Sequence, residues 1–395
     1  MRRQQKLNIG LIWSQFAAYH IDRCEAVARR LAGRAQVQAI EVATTSLDYA
    51  WEASGDVAGA SKVTLFPERS FDSIGWLSRY SAMRAATRNC EVVCIGLSYA
   101  LPDAILLSWV LRLTGRRVIV FSESKFDDTE RSIWLELAKT LVLSCYNAAI
   151  VGGARHRAYF RFLGFRRRPV VLGYDGVGTD RIRQQAGEND PAHSFAERPF
   201  VFVGRFVAKK NLVTLVEGYA RYVALAGRSA RRLILIGSGD EEAAVQARAD
   251  ELGVAPNISF PGFLGAEAVS RTLSTAAALL LVSHEEQWGL VVNEALALGI
   301  PVVVSHEVGS REALVESFVT GFVVESNSPG AIGRALHRVG SDRTEWEAMS
   351  AAATARSAMG DADRLAEALE LLLLPRDESA VETEATSDAS LESYK

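Results

Sequence analysis

The chain of 395 residues has only four cysteines, no long apolar run and almost no net charge. Each shortage excludes something. Cys24, Cys90, Cys94 and Cys145 lack both disulfide-framework and zinc-ligand spacing, since Cys90 and Cys94 have no second pair and no histidine cluster. They read as reduced thiols, which implies a cytoplasmic protein. No window reaches about eighteen uncharged apolar residues, so no membrane-spanning helix is expected. The basic start, Met1-Arg2-Arg3-Gln4-Gln5-Lys6, leads into a short apolar run, and His20, Asp22 and Arg23 follow soon after, which argues against a signal peptide. A formal net charge of −3 gives no case for nucleic-acid binding. The nicotinamide fingerprint is missing as well. Gly237-Ser238-Gly239 follows an apolar run, but Glu242 stands where the third glycine would be needed.

What the sequence does have is alternation. Apolar runs at Leu7 to Trp13, Val37 to Val42, Val63 to Phe66, Glu91 to Ile95, Arg117 to Phe121, Ala148 to Val151 and Val170 to Leu172 predict strands. Helical patterns lie between several of them, at Asp22 to Leu31, Ser73 to Arg88 and Pro102 to Leu113. The polar, aperiodic stretch Arg181 to Pro199 reads as a linker. Strand and helix patterns then resume from Phe200 to Val324. Alternation of this kind indicates α/β architecture with parallel sheets covered on both faces. The expected units are residues 1–185 and 199–360, joined by 186–198 and followed by a disordered acidic tail over 375–395.

The most informative stretch is His284-Glu285-Glu286-Gln287-Trp288-Gly289-Leu290-Val291-Val292-Asn293-Glu294, which follows the apolar run Ala277 to Val282. Glu286 falls in a strand-to-helix loop and Glu294 about a turn inside the helix. Eight helical residues span about 12 Å, roughly the reach from a sugar ring across a diphosphate to a ribose. Carboxylates accept hydrogen bonds from sugar hydroxyls. The backbone N–H groups of Trp288, Gly289 and Leu290 open the helix and suit an anion. Two acids in a helix's first turns also have a bland reading, since the macrodipole favours them there. Gly204-Arg205-Phe206-Val207-Ala208-Lys209-Lys210-Asn211 ends an earlier predicted strand and opens a helix, so Arg205 and Lys210 make a candidate phosphate site. Lys209 should face solvent.

Taken together these strings resemble glycosyltransferase family 4, retaining nucleotide-sugar transferases of the GT-B fold. Glu286 and Glu294 form its E-x7-E motif, with Trp288 where Phe is usual, and Gly204, Arg205 and Lys210 its Gly-Arg…Lys element. Gly309-Ser310-Arg311-Glu312 and Thr320-Gly321-Phe322 match its closing elements. The resemblance is specific from Phe200 to about Leu336 and thinner before it. It implies two Rossmann-like domains facing a central cleft, with a last helix over 361–374 packing back on the first. It also implies that Arg205 and Lys210 hold the donor diphosphate and that Gly237 and Gly239 lie by the nucleotide. Gly262 and Phe263 would lie by the base, Glu286 on the donor sugar and Glu294 on the ribose. The expected donor is a UDP- or GDP-linked hexose, with no cofactor and no metal.

On the acceptor side, Gln15, His20 and Arg23 lie in or just after the first strand's loop, and Ser122, Glu123 and Ser124 in another. The first loop lacks the family's Gly-Gly pair, and the second carries Ser-Glu-Ser in place of its usual His. Glu123 is the candidate to shape the site or accept a proton. His20 and Arg23 as helix-start residues, and Asp127 and Asp128 as a helix cap, are the structural alternatives. Arg155, Arg157, Arg161, Arg166, Arg167 and Arg168 form a run without acids, either a solvated face or a contact for anionic lipid on the cytoplasmic side of a membrane. Asp361-Ala362-Asp363 copies a metal-binding D-x-D, though Asp361 suits a helix N-cap. The rival functions are a sugar-nucleotide epimerase, a phosphorylase of related architecture, and a catalytically silent scaffold.

Overall fold

The computed structural model describes residues 6–46, 55–128, 131–187 and 194–373. In chain order the first half contains β1 (Leu7–Trp13), α1 (Ala18–Arg30), β2 (Ala35–Thr45), β3 (Ser61–Ser70), α2 (Trp76–Ala86), β4 (Val92–Ile95) and α3 (Pro102–Leu113). It continues with β5 (Arg117–Ser122), α4 (Ile133–Leu143), β6 (Ala148–Val151), α5 (Ala154–Phe162), β7 (Val170–Leu172) and α6 (Thr179–Ala186). The second half contains β8 (Phe200–Val203), α7 (Leu212–Ala226), β9 (Leu233–Ile236), α8 (Glu242–Glu251), β10 (Ile258–Gly262), α9 (Ala266–Ser274) and β11 (Ala278–Leu281). It ends with α10 (Leu290–Ala297), β12 (Val302–Ser305), α11 (Arg311–Leu314), β13 (Gly321–Val324), α12 (Pro329–Ser341), α13 (Arg343–Arg356) and α14 (Asp363–Leu373).

The strands form two parallel sheets, ordered β3-β2-β1-β4-β5-β6-β7 and β10-β9-β8-β11-β12-β13. Strands such as Val92–Ile95 and Ala278–Leu281 are apolar at every position and buried throughout, as a parallel sheet covered on both faces requires. In each sheet the order reverses beside the first strand, between β1 and β4 and between β8 and β11. Ligands of such sheets bind beyond the carboxyl ends of the strands at this switch point. The loops after β1, β5, β8 and β11 all lie at those ends.

The last helix crosses back to the first sheet. Leu365, Ala366 and Leu369 of α14 are buried in the same core as Val27 of α1. Arg29 pairs with Asp363 and Arg30 with Glu370 at the rim of that contact. Exposed pairs of this kind add at most about 1 kcal/mol each, so the apolar seam holds the helix. Among the described residues no helix is long and apolar enough to cross a membrane.

Two expectations need correction. The stretch from Arg181 is not aperiodic linker at its start: α6 runs to Ala186, buries Ile182 and fixes Arg181 against Asp22 through two hydrogen bonds of 2.9 and 2.8 Å. Eight residues are too few to show a helical period among polar side chains. The first helix also begins at Ala18 rather than Asp22, because His20 Nδ1 accepts the Ala17 N–H at 2.9 Å and closes the first turn. Residues 188–193, the acidic tail over 375–395 and the first five residues lie outside the described residues.

Candidate functional site

The donor side is built on backbone contacts. After β8 the chain turns at Gly204 and Arg205, and Phe206 N–H donates to the Ser238 carbonyl at 2.8 Å. A Cβ on Gly237 would lie 1.9 Å from the Gly204 carbonyl oxygen, so only glycine lets the two loops meet. Gly239 stands on the same turn, and Gly237 N–H donates to the Gly262 carbonyl at 2.9 Å. Three strand ends are thus fastened side by side. Arg205 is exposed at their rim, and Lys209 is exposed as expected.

Lys210 reaches the loop after β11. Its Nζ forms an ion pair with Glu286 Oε2, and Ser283 Oγ donates to the same carboxylate at 3.3 Å. The Glu286 loop is held from behind by Gly309 N–H, which donates to its carbonyl at 3.1 Å. Ser310 N–H does the same to the Trp288 carbonyl at 3.0 Å. Gly289, at φ +92°, caps α10 in a left-handed conformation that a side chain would strain. Val292 N–H donates to the Gly289 carbonyl at 2.9 Å, while the N–H groups of Leu290 and Val291 have no carbonyl within the helix to meet, so the loop presents a positive helix end beside Lys210.

Glu294 is half-buried one turn further along α10. It lines a cavity of about 330 Å³ together with Tyr19, Arg181, Val203 and the exposed Phe263. Burial pushes its carboxyl up to about 7, against the pull of Arg181 and with a push from Asp22. The E-x7-E spacing therefore places its two acids in different surroundings, one paired with a lysine and one in a part-apolar pocket.

The side chain of Trp288 does not face this cavity. It is buried between the two halves, where its ring packs against Gly152 and, tilted at 5.7 Å, against His156. Its Nε1 donates to Asn293 Oδ1 at 2.9 Å, and Asn293 Nδ2 donates to the carbonyls of Asp175 at 2.7 Å and Gly360 at 2.9 Å. Only the backbone of Trp288 remains available to a ligand. His156 Nε2 lies 3.0 Å from the Gln287 carbonyl, and burial lowers its imidazole to about 4, so it is neutral and donates.

The acceptor-side residues converge on a buried cluster. Arg23 is fully buried, donates from Nε to the Gly176 carbonyl at 2.9 Å, and places Nη2 3.6 Å from Asp175. Tyr19 and Tyr174 flank its guanidinium at 4.8 and 4.6 Å. Burial, then the neighbouring Glu123, holds the Asp175 carboxyl well above the usual carboxylate range. Glu123 itself is part-exposed. Gln15, His20 and Ser122 are buried beside it. Ser122 Oγ accepts the Ser124 N–H at 3.1 Å, and Ser124 Oγ accepts the Tyr99 hydroxyl at 3.1 Å. Asp175, Arg181, Asn293 and His156 were not legible as site residues. Asp361 and Asp363 are already engaged: Asp361 accepts from Thr179 and from Asp363 N–H, and Asp363 pairs with Arg29. Among the described residues no group of three or more His, Cys, Asp or Glu could hold a metal.

Two parallel sheets with flanking helices, met across these loops, define the GT-B architecture of glycosyltransferases. Residues 187–356 match the family described as glycosyl transferases group 1. An uncharacterized glycosyltransferase of Methanocaldococcus jannaschii is 30% identical over 146 residues, 37% of this chain and 36% of that one. The chain spans only 20% to 36% of the length of the first curated relatives it matches. Among solved structures, sucrose-phosphate synthase from Thermosynechococcus elongatus superposes with a TM-score of 0.70 at 19% identity, over 93% of this chain and 98% of that one. Anabaena HepE in complex with UDP-glucose gives 0.68 at 14% identity, over 93% and 99%. The matched segment and the named relatives support a transferase.

Proposed function

We propose that the protein moves a hexose-type sugar from a UDP- or GDP-linked donor to an acceptor, with retention of configuration, in surface polysaccharide or glycoconjugate synthesis. The observation that carries this reading is the Lys210–Glu286 pair at the amino end of α10, with Glu294 in its own cavity a turn away. A diphosphate at that helix end would meet Lys210, Arg205 and the Trp288–Leu290 amides. Glu286 would then take the donor sugar's hydroxyls and Glu294 the ribose, with Phe263 offering an exposed ring to the base. Negative charge grows on the diphosphate as the glycosidic bond breaks. Fixed cations and N–H groups aimed there favour the transition state over the ground state and can do the work of a metal. Glu123, part-exposed above the Arg23–Asp175 cluster, would shape the acceptor side. HepE was solved with UDP-glucose, which supports a sugar nucleotide as the ligand class. The test is incubation with a panel of UDP- and GDP-sugars, scoring release of nucleoside diphosphate with and without saccharide acceptors. Release from none of them would overturn the reading, and interconversion of a free sugar nucleotide would favour an epimerase.

A further inference from the structure

Helix α4 is turned inside out. Of its eleven residues only Glu136 and Leu143 are buried. Ile133, Trp134, Leu137 and Leu141 are exposed, with Ala138 among them. Their spacing puts them on one side of the helix. Trp134 is 78% exposed and Ile133 72%, and a contiguous apolar patch, unlike single exposed side chains, marks an interaction site. The charged residues point inward instead. Glu136 accepts from Lys139 at 2.9 Å and from the Tyr159 hydroxyl at 2.7 Å, and Arg131 closes the same cluster at 3.3 Å. An amphipathic helix in water presents the opposite faces.

The surroundings of that face are basic. Residues 137–174 contain Lys139 and six arginines but no Asp or Glu. Arg161, Arg166 and Arg167 are exposed. With Arg168 they line a groove of about 620 Å³ between the starts of β5, β6 and β7 and the end of α14, and Arg168 Nη1 links it to α4 by donating to the Leu143 carbonyl at 2.6 Å. Phe162, also exposed, joins Phe126 in an edge-to-face pair at 5.8 Å. On the loop before α4, Asp127 and Asp128 are held in ion pairs with Lys125 and Arg155.

We propose that α4 and the arginine groove beside it form an interfacial docking surface for an anionic lipid bilayer. Trp134, Ile133, Leu137 and Leu141 enter the headgroup boundary, and Arg161, Arg166 and Arg167 meet the lipid phosphates. Tryptophan and aliphatic side chains on one face with arginine beside them suit that boundary. Charge selects lipid over a second copy of the chain. A two-fold contact would set the basic rim against itself, whereas anionic headgroups neutralise it. Two signals together, apolar insertion and a polybasic patch, are what stable yet reversible binding needs. Ile133 follows Glu123 by ten residues, so docking would hold the acceptor side of the cleft near the bilayer.

The test is flotation of the full chain with vesicles of phosphatidylcholine alone and of phosphatidylcholine with one third phosphatidylglycerol. The protein should float with the anionic vesicles only. Trp134→Ser with Leu137→Ser should lower the bound fraction about tenfold or more. Arg166→Ala and Arg167→Ala should each lower it roughly fivefold. All of these positions are exposed, so thermal melting in solution should not change and serves as the check on folding. Nucleoside diphosphate release in vesicle-free solution should also be unchanged, which keeps this result separate from the transfer reading. Absence of flotation with anionic vesicles, or flotation unaltered by the Trp134 and Leu137 changes, would overturn the proposal. A solution dimer that Leu137→Ser splits, without vesicle binding, would assign the face to a second copy instead.

Discussion

Lys210 and Glu286 form an ion pair, although they come from strand ends of different βα units. On the proposed reading, each is the other's stand-in for part of the donor. The diphosphate takes the lysine, and the sugar hydroxyls take the carboxylate. Glu286→Gln should release Lys210 for phosphate, so nucleoside diphosphate should bind at least as tightly as to the wild type. Its kcat should nevertheless fall, since the hydrogen bonds that the hydroxyls of the flattening sugar ring donate to the carboxylate are weakened. Glu294→Gln should mainly raise the donor KM, because the ribose does not react. Steady-state kinetics on both variants checks this. Equal loss of diphosphate affinity in the two would mean that the acids only shape the loop.

The raised Glu294 carboxyl gives a pH dependence of stability. Its folded-state value is about 7, against an ordinary 4.5. Below 4.5 it is protonated in folded and unfolded chains alike. As pH rises toward 7 the unfolded chain ionises first, so stability is lost through that window and the loss is complete above about 7. Glu294→Gln removes the loss. Relative to the wild type it should be close to neutral at pH 4.5 and stabilising at pH 8, by roughly 3 kcal/mol at most. Urea denaturation at the two pH values measures the difference. The same offset at both would mean that the carboxyl is not displaced by burial.

Asn293 ties the Trp288 indole to the first half by donating to the Asp175 carbonyl. Asn293→Ala would leave the Trp288 indole N–H and the Asp175 carbonyl without their partner, while the Gly360 carbonyl keeps the Val177 N–H. An unsatisfied buried group costs about 1–3 kcal/mol, so the loss should reach at least about 2 kcal/mol in chemical denaturation. A change below about 0.5 kcal/mol would show that water replaces the amide.

These examples also show what the sequence made legible. β1, α3, β6 and β7 lie where the apolar runs and Pro102 place them, because their signals are local: period, composition and a first-turn proline. Glu286 and Glu294 were readable because one loop and one helix hold both. Asn293 lies between them in sequence, yet its partners Asp175 and Gly360 are distant in the chain, and no periodicity encodes such a meeting. Asp175 and Arg181 were missed for the same reason. Trp288 was legible as a backbone feature only; its ring is committed to Gly152 and His156, contacts that exist only once two separate sheets have folded. Nor did the apolar pattern of α4 reveal its orientation, since period alone does not tell an inward stripe from an outward one.

If lysine, arginine and the helix end neutralise the leaving diphosphate, transfer should survive excess EDTA. Loss of activity on chelation, with recovery on adding Mn²⁺ or Mg²⁺, would contradict that mechanism and return attention to Asp361 and Asp363.

The central claim is that a sugar nucleotide places its diphosphate at Lys210. Calorimetric titration of UDP and of GDP into the wild type and into Lys210→Ala tests it most directly. A charge-assisted hydrogen bond is worth about 1.5–3 kcal/mol, so the account predicts affinity for the accepted nucleotide weakened tenfold or more in a variant that melts like the wild type. Unchanged affinity for both nucleotides in that folded variant, or no binding of either by the wild type, would contradict it.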